Sequence, residues 1–204
     1  MNEPLKIQII IGSTRQNRVS EKPAHYLFEE LKKKEGIDAE LIDLRDWPLP
    51  FYDEPTSPSG NKGIYVNPLG KQWANKIGEA DGYIMIAPEY NHGYPAVLKN
   101  ALDWVYPEWN KKPVGFVSYG SALGARAIEQ LRQVVIELKM IPLQSAIHIP
   151  VELLMAVRAE KTPVNPELYK PLREGRVGDR VEKFFNELIE YAKLLKPARS
   201  INTI

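Results

Sequence analysis

The sequence predicts an α/β fold built on a five-stranded parallel sheet. Short β-branched apolar runs alternate with helical periods five times. Those runs are nearly continuous rather than alternating, as strands covered on both faces read. The chain of 204 residues also fits one domain over 1–204, long enough to bury roughly 70% of the surface its unfolded form exposes.

The first strand is Leu5–Ile11, ending at Gly12. The others are expected at Ala39–Asp43, Gly82–Ala87, Val114–Tyr119 and Ser145–Ile149. Between them, Ala24, Leu27, Phe28 and Leu31 share one helix face, and Trp73, Ile77 and Ala80 another. Leu98, Leu102 and Val105 mark a third helix, and Ile128, Leu131, Val135 and Leu138 a fourth. The last carries Val181, Phe184, Phe185, Leu188 and Ile189. The strand order 2-1-3-4-5 is common for this count, and right-handed crossovers then place helices on both faces as a three-layer sandwich. Two stretches break the pattern. Leu44–Pro68 is rich in proline, and Pro150–Gly178 reads as irregular with a solvated, sign-alternating charge pattern.

Composition removes several classes. Apolar residues make up 44% and charged residues 26%, against disorder, and the formal net charge of +1 gives no field for nucleic acid or an acidic membrane. The absence of cysteine excludes disulfides, thiolate metal sites, iron–sulfur clusters and a cysteine nucleophile. It fits a reducing, cytoplasmic setting. Met1-Asn2-Glu3-Pro4 has no basic n-region, and Ile7–Ile11 is too short for a signal peptide or a membrane span. No two glycines stand two apart, so the G-x-G-x-x-G dinucleotide fingerprint fails. No Walker loop, G-x-S-x-G elbow or H-E-x-x-H is present, and the three histidines have no metal-ligand spacing. Any redox centre is therefore a bound organic cofactor, and no metal or acid–base residue is expected.

A parallel sheet binds its ligand at the carboxyl ends of its strands, so three loops matter. Gly12–Ser20 offers Ser13, Thr14, Arg15, Arg18, the Val19 and Ser20 amides and a helix start, a combination suited to a phosphate. Its bland reading is an N-cap at Ser20 with exposed arginines. The second loop, Pro88-Glu89-Tyr90-Asn91-His92-Gly93-Tyr94-Pro95, is bracketed by prolines and presents Tyr90, a platform for a flat heteroaromatic ring or else an ordinary turn. The third, Tyr119–Arg126, holds Gly120, Ser121 and Gly124 before a helix and reads equally as a plain helix start. Lys99 and Asp103 stand four apart, the spacing of a surface ion pair.

These residues resemble the NAD(P)H-dependent FMN reductase family of flavodoxin-like folds, whose members include quinone, azo and chromate reductases. The likeness rests on Gly12-Ser13-Thr14-Arg15 with Arg18, and on Pro88–Pro95 running into Leu98-Lys99-Asn100-Ala101-Leu102-Asp103-Trp104. Ser118-Tyr119-Gly120-Ser121 with Gly124 and Arg126 carries it more loosely, and it spans Leu5–Ile149. The resemblance implies that Ser13, Arg15, Arg18, Val19 and Ser20 hold the FMN phosphate. It implies that Pro88, Glu89, Tyr90, Asn91 and Gly93 lie along the isoalloxazine, with Tyr90 and Asn91 closest, that Ser121 lies near its pyrimidine side, and that Tyr119 on the same third loop also belongs to the cofactor site. It further implies NADPH or NADH as donor, a small acceptor such as free flavin or a quinone, and a homodimer or tetramer. A flavodoxin-like electron carrier is the alternative, and a nucleotide-binding scaffold a third reading. Arg126, Lys111 and Lys112 are candidates for meeting a 2′-phosphate. The aromatic and apolar residues Leu98, Leu102, Trp104, Val105, Tyr106 and Trp109 wrap more than one helix face, which points to an oligomer surface, with a domain-internal aromatic cluster as the alternative.

Overall fold

The computed structural model describes residues 3–160, 165–174 and 178–200. Its sheet consists of β1 (Leu5–Ile11), β2 (Ile37–Asp43), β3 (Gly82–Pro88), β4 (Pro113–Tyr119) and β5 (Ile141–Ile149), in the order β2-β1-β3-β4-β5, all parallel. The helices are α1 (Glu21–Lys32), α2 (Pro68–Gly78), α3 (Ala96–Asp103), α4 (Ala125–Glu137), α5 (Val151–Ala159), α6 (Lys170–Arg173) and α7 (Arg180–Ser200).

Strand pleating sends alternate side chains into two separate cores. Ile7, Ile9, Ile84, Ile86 and Val117 face α1, α5, α6 and α7. Ile10, Tyr83, Met85, Val114 and Phe116 face α2, α3 and α4. The second core holds three buried indoles, and each donates to a carbonyl. Trp73 Nε1 reaches Ala101 O at 2.8 Å, Trp104 Nε1 reaches Pro50 O at 2.6 Å, and Trp109 Nε1 reaches Leu102 O at 3.1 Å. Leu98, Leu102, Trp104, Val105 and Trp109 are thus buried within this chain. The apolar excess around α3, expected to form an oligomer surface, is an internal aromatic cluster. The 44–68 segment folds back and lays Trp47, Leu49, Tyr52 and Tyr65 against it.

Two expectations are corrected. The fifth strand starts four residues earlier than the sequence pattern, at Ile141, and includes Pro142. β5 is an edge strand, where a missing N–H is tolerated, and its register against β4 shifts between Val114 and Phe116. The stretch 150–178, expected to be irregular, contains α5 and α6; Leu153 and Val157, one turn apart, pack α5 into the first core. Residues 161–164 and 175–177 of it lie outside the described residues.

Candidate functional site

The carboxyl edge of β1, β3 and β4 carries the three loops, and direct hydrogen bonds join them. Ser13 Oγ lies 2.8 Å from Tyr90 Oη, tying the first loop to the second. The Glu89 amide donates to Tyr119 O at 2.9 Å, tying the second to the third. The strands end in register here, with Ile11 beside Ile86 and Pro88 beside Tyr119, so the chain is delivered to one edge from three directions.

In the first loop Ser13, Arg18, Val19 and Ser20 are buried, whereas Thr14, Arg15, Gln16 and Asn17 are exposed. Ser20 occupies the N-cap position of α1 but makes no capping bond, and its Oγ is buried with no hydrogen bond. Its side chain and its backbone both approach the Tyr119 hydroxyl, closely enough to offset part of that hydroxyl's upward shift, although Oγ closes no hydrogen bond there. A buried hydroxyl left unbonded costs about 1–3 kcal/mol, so the position favours a ligand that accepts from it. Among the described residues the Val19 amide reaches no backbone acceptor, and the Ser20 amide faces the Tyr119 hydroxyl. Arg15 is exposed, and its guanidinium makes a single long bond, 3.4 Å to Asn17 O. Hydroxyl, amides and one uncommitted guanidinium form a donor set that matches a phosphate monoester.

Arg18 is placed differently from the implied phosphate contact. Its Nε donates to Glu21 Oε1 at 2.7 Å, and its Nη1 to Asp43 Oδ1 at 2.7 Å and to Ser13 O. Nη2 donates to Asp43 Oδ2. The side chain is buried among these acceptors because β2 ends on Asp43 beside the loop. Burial would raise the Asp43 carboxyl, but the Arg18 and Arg45 donors outweigh it and hold Asp43 below the usual carboxylate range. Arg45, which no sequence pattern singles out, donates to Arg15 O and Glu21 Oε1, both at 2.7 Å. Only the meeting of the β2 end with the first loop reveals it.

In the second loop Tyr90 and Gly93 exchange backbone hydrogen bonds at 2.8 and 3.0 Å around Asn91 and His92. Both central residues have positive φ, 49° and 70°, as a tight primed turn requires. Asparagine and histidine enter this left-handed region more readily than most side chains, and here the turn also has outside support. Gln130 Nε2 supplies it by donating to His92 O at 3.0 Å, and Arg126 Nη1 donates to His92 Nε2 at 2.7 Å. The Tyr90 ring is 37% exposed at the edge of this turn. Glu89 turns its carboxylate to Arg126 Nε at 2.7 Å and to the Arg126 amide at 3.2 Å, at the start of α4. Burial would raise this carboxyl, and Arg126 more than offsets it. The Glu89 side chain is therefore engaged inside the protein, and only its backbone faces the ring platform.

In the third loop Gly124 has φ 71°, and a Cβ there would sit 1.9 Å from Ser118 Oγ. Ser121 is exposed, while Tyr119 is buried and its hydroxyl is pushed up to about 12, mainly by burial. His148 Nδ1 lies 3.0 Å from Leu123 O, a structural role. The Lys99–Asp103 pair forms as expected, at 2.6 Å. Lys111 and Lys112 are far from all of this. Both directly precede β4 at the opposite, amino edge, where Lys112 Nζ donates to Ile77 O at 2.9 Å and Gly78 O at 3.1 Å. Strand length alone puts them ~20 Å from the loops. Arg126 is engaged by Glu89 and His92. Among the described residues no group of acidic or histidine side chains is spaced to hold a metal ion, and no helix is long and apolar enough to cross a membrane.

The family model described as NADPH-dependent FMN reductase matches residues 5–152, which spans the whole sheet and all three loops. This chain belongs to that family. It is 41% identical over 147 residues to an NAD(P)H-dependent FMN reductase of Schizosaccharomyces pombe, covering 71% of this chain and 74% of that protein. It is 30% identical over 201 residues to an NAD(P)H-dependent FMN reductase of a Nectria species, covering 94% and 92%. An FMN-dependent NADPH-azoreductase of Staphylococcus aureus is 34% identical over 149 residues, covering 71% and 77%. Among solved structures, the flavoenzyme NAD(P)H:(acceptor) oxidoreductase FerB of Paracoccus denitrificans superposes with a TM-score of 0.63 over 92% of this chain and 98% of its own, at 20% identity. That likeness shows the shared flavodoxin-like fold.

Proposed function

We propose that FMN binds across the three loops, its phosphate in Gly12–Ser20 and its ring system along Pro88–Gly93. The protein is an FMN-dependent NAD(P)H oxidoreductase that passes hydride to a small acceptor such as free flavin or a quinone. The observation that carries the placement is the Ser13–Tyr90 hydrogen bond, which couples the phosphate-binding loop to the ring platform at 2.8 Å. Bound FMN supplies the hydride chemistry, accepting from a reduced nicotinamide and giving to the acceptor.

The chain's own residues bind, orient and tune. Arg15, the Ser20 hydroxyl and the Val19 and Ser20 amides take the phosphate. Ser13, through Tyr90, sets the spacing between phosphate and ring. Pro88, Glu89, Asn91 and Gly93 offer backbone along one ring edge, and the Glu89–Arg126–His92 chain keeps that turn fixed. Ser121 stands on the pyrimidine side, where amide and hydroxyl donors stabilise negative charge, and the buried Tyr119 links the third loop to Ser20 of the first. No side chain is assigned as proton donor.

The protein is cytoplasmic in this reading, in keeping with a cysteine-free chain. It also forms a homo-oligomer, a dimer or tetramer, argued from a surface other than the buried aromatic cluster. Phe51 (83% exposed), Ile64 (74%) and Val66 (73%) stand out from the 44–68 segment, and Phe51 lines a groove with Ala96, Val97 and Asn100 of α3. Light scattering at micromolar concentration tests it; a monomer mass refutes it.

Anaerobic stopped-flow mixing of FMN-loaded protein with NADPH and, separately, NADH tests the function. Bleaching of the flavin band within seconds is expected with at least one donor. Failure with both, over minutes, would leave the electron-carrier alternative in place.

A further inference from the structure

We infer that Arg18 and Arg45 are positioning residues that shape the phosphate loop from behind, while Arg15 alone supplies its attraction for a dianion. The inference rests on the reading of Gly12–Ser20 as the phosphate loop.

Two guanidinium groups hold three consecutive carbonyls. Arg18 Nη1 donates to Ser13 O, Arg45 Nε to Thr14 O at 3.4 Å, and Arg45 Nη2 to Arg15 O at 2.7 Å. In a planar trans peptide the carbonyl of one residue and the N–H of the next point in opposite directions. Fixing those three carbonyls on the arginine side therefore turns the N–H groups of Thr14, Arg15 and Gln16 to the other side. The Arg15 amide finds Ser13 Oγ there, at a long 3.4 Å, and Ser13 Oγ in turn meets Tyr90. Among the described residues the Thr14 and Gln16 amides have no acceptor. Successive amides facing one side form an anion-binding concavity, and here it opens toward the ring platform.

The charges divide the labour in the same way. Arg18 pairs with Asp43 and Glu21, and Arg45 pairs with Glu21. Two positive and two negative groups cancel over a few ångströms, so this cluster gives geometry without net field. Arg15 has no carboxylate partner among the described residues. For Arg18 to reach a phosphate it would have to leave Asp43. That strips a half-buried carboxylate of its counter-ion, a penalty larger than one new hydrogen bond to phosphate offsets.

The test compares FMN with riboflavin, which lacks the phosphate, by fluorescence titration at several salt concentrations. Arg45→Ala is the main variant, because Arg45 is partly exposed and sits outside the core. FMN affinity is expected to fall about 10-fold, with riboflavin affinity unchanged. The slope of log Kd against log salt is expected to stay at the wild-type value, whereas Arg15→Ala flattens it. Arg45→Gln, which keeps a neutral donor for the Arg15 carbonyl, should recover part of the loss without any charge. The inference is overturned if Arg45→Ala flattens the salt slope as Arg15→Ala does, or if it leaves FMN affinity intact. Equally low wild-type preference for FMN and riboflavin would instead overturn the phosphate-loop reading beneath it.

Discussion

Replacing Arg15 by alanine isolates the charge of the phosphate loop from its shape. The side chain is exposed and, among the described residues, its only hydrogen bond is the 3.4 Å contact to Asn17 O, so folding stability should change by less than about 0.5 kcal/mol. A charge-assisted hydrogen bond to phosphate is worth about 1.5–3 kcal/mol, which converts to a loss of roughly 10- to 150-fold in FMN affinity. Riboflavin should bind the variant as it binds the wild type. Raising salt from ~0.05 to ~0.5 M should narrow the gap between wild type and variant for FMN, since screening acts on an exposed charge. Isothermal titration with both flavins at both salt levels, beside a thermal melt of the apoprotein, makes the measurement. The reasoning fails if FMN affinity is unchanged, or if FMN and riboflavin weaken together, because either result moves the phosphate away from Arg15.

Burial, with help from Arg199, pushes the Lys112 amine down to about 7, against the pull of Asp81 and Glu108; its unfolded value is ~10.4. The unfolded chain thus holds more protons between those values, and stability should rise with pH across that window, on the order of 2 kcal/mol from pH ~7 to ~9. Lys112→Met should remove this rise in urea titrations, and equal slopes for both proteins would contradict it. Gly124→Ala combines φ 71° with a Cβ 1.9 Å from Ser118 Oγ, so a loss of at least roughly 1–3 kcal/mol is expected in denaturant titrations together with weaker flavin binding; a neutral outcome would show the third loop to be loosely held. Glu89→Gln weakens the grip on Arg126 and hence on the left-handed His92 turn, so the bound-flavin absorption band should shift and turnover fall several-fold while the melting temperature stays within a few degrees; an unaltered spectrum would show the turn to be independent of Glu89.

The three loops are legible in the sequence because their chemistry is local. Gly12-Ser13-Thr14-Arg15 follows a strand, prolines bracket Tyr90, and Gly120 and Gly124 precede a helix. Arg18 reads from sequence as one more cation of the loop. Its real partner, Asp43, is 25 residues away in the chain and reaches it only because β2 pairs with β1. Arg45 is silent in the sequence for the same reason. The aromatic residues around α3 point the wrong way for the opposite reason: a helix face counted alone looks too apolar, and only the returning 44–68 segment shows what covers it.

Periodicity and adjacency are properties of the chain alone, and they govern the fold. Five buried runs separated by helical periods leave few alternatives to a parallel sheet, and the loop residues bound to each strand end follow from the chain's own order. The strand order 2-1-3-4-5 then brings three of those ends together. Which polar groups neutralise one another is a matter for the folded molecule. Ion pairs such as Arg18–Asp43, Glu89–Arg126 and Lys196–Asp81 join residues 25, 37 and 115 apart in the chain. No local pattern marks such pairs, because Coulomb attraction depends on distance in space and is indifferent to separation along the chain. Among the described residues the same meeting of distant segments leaves Arg15 without a carboxylate partner and the Ser20 hydroxyl without a closed hydrogen bond, two features that chain order alone does not mark.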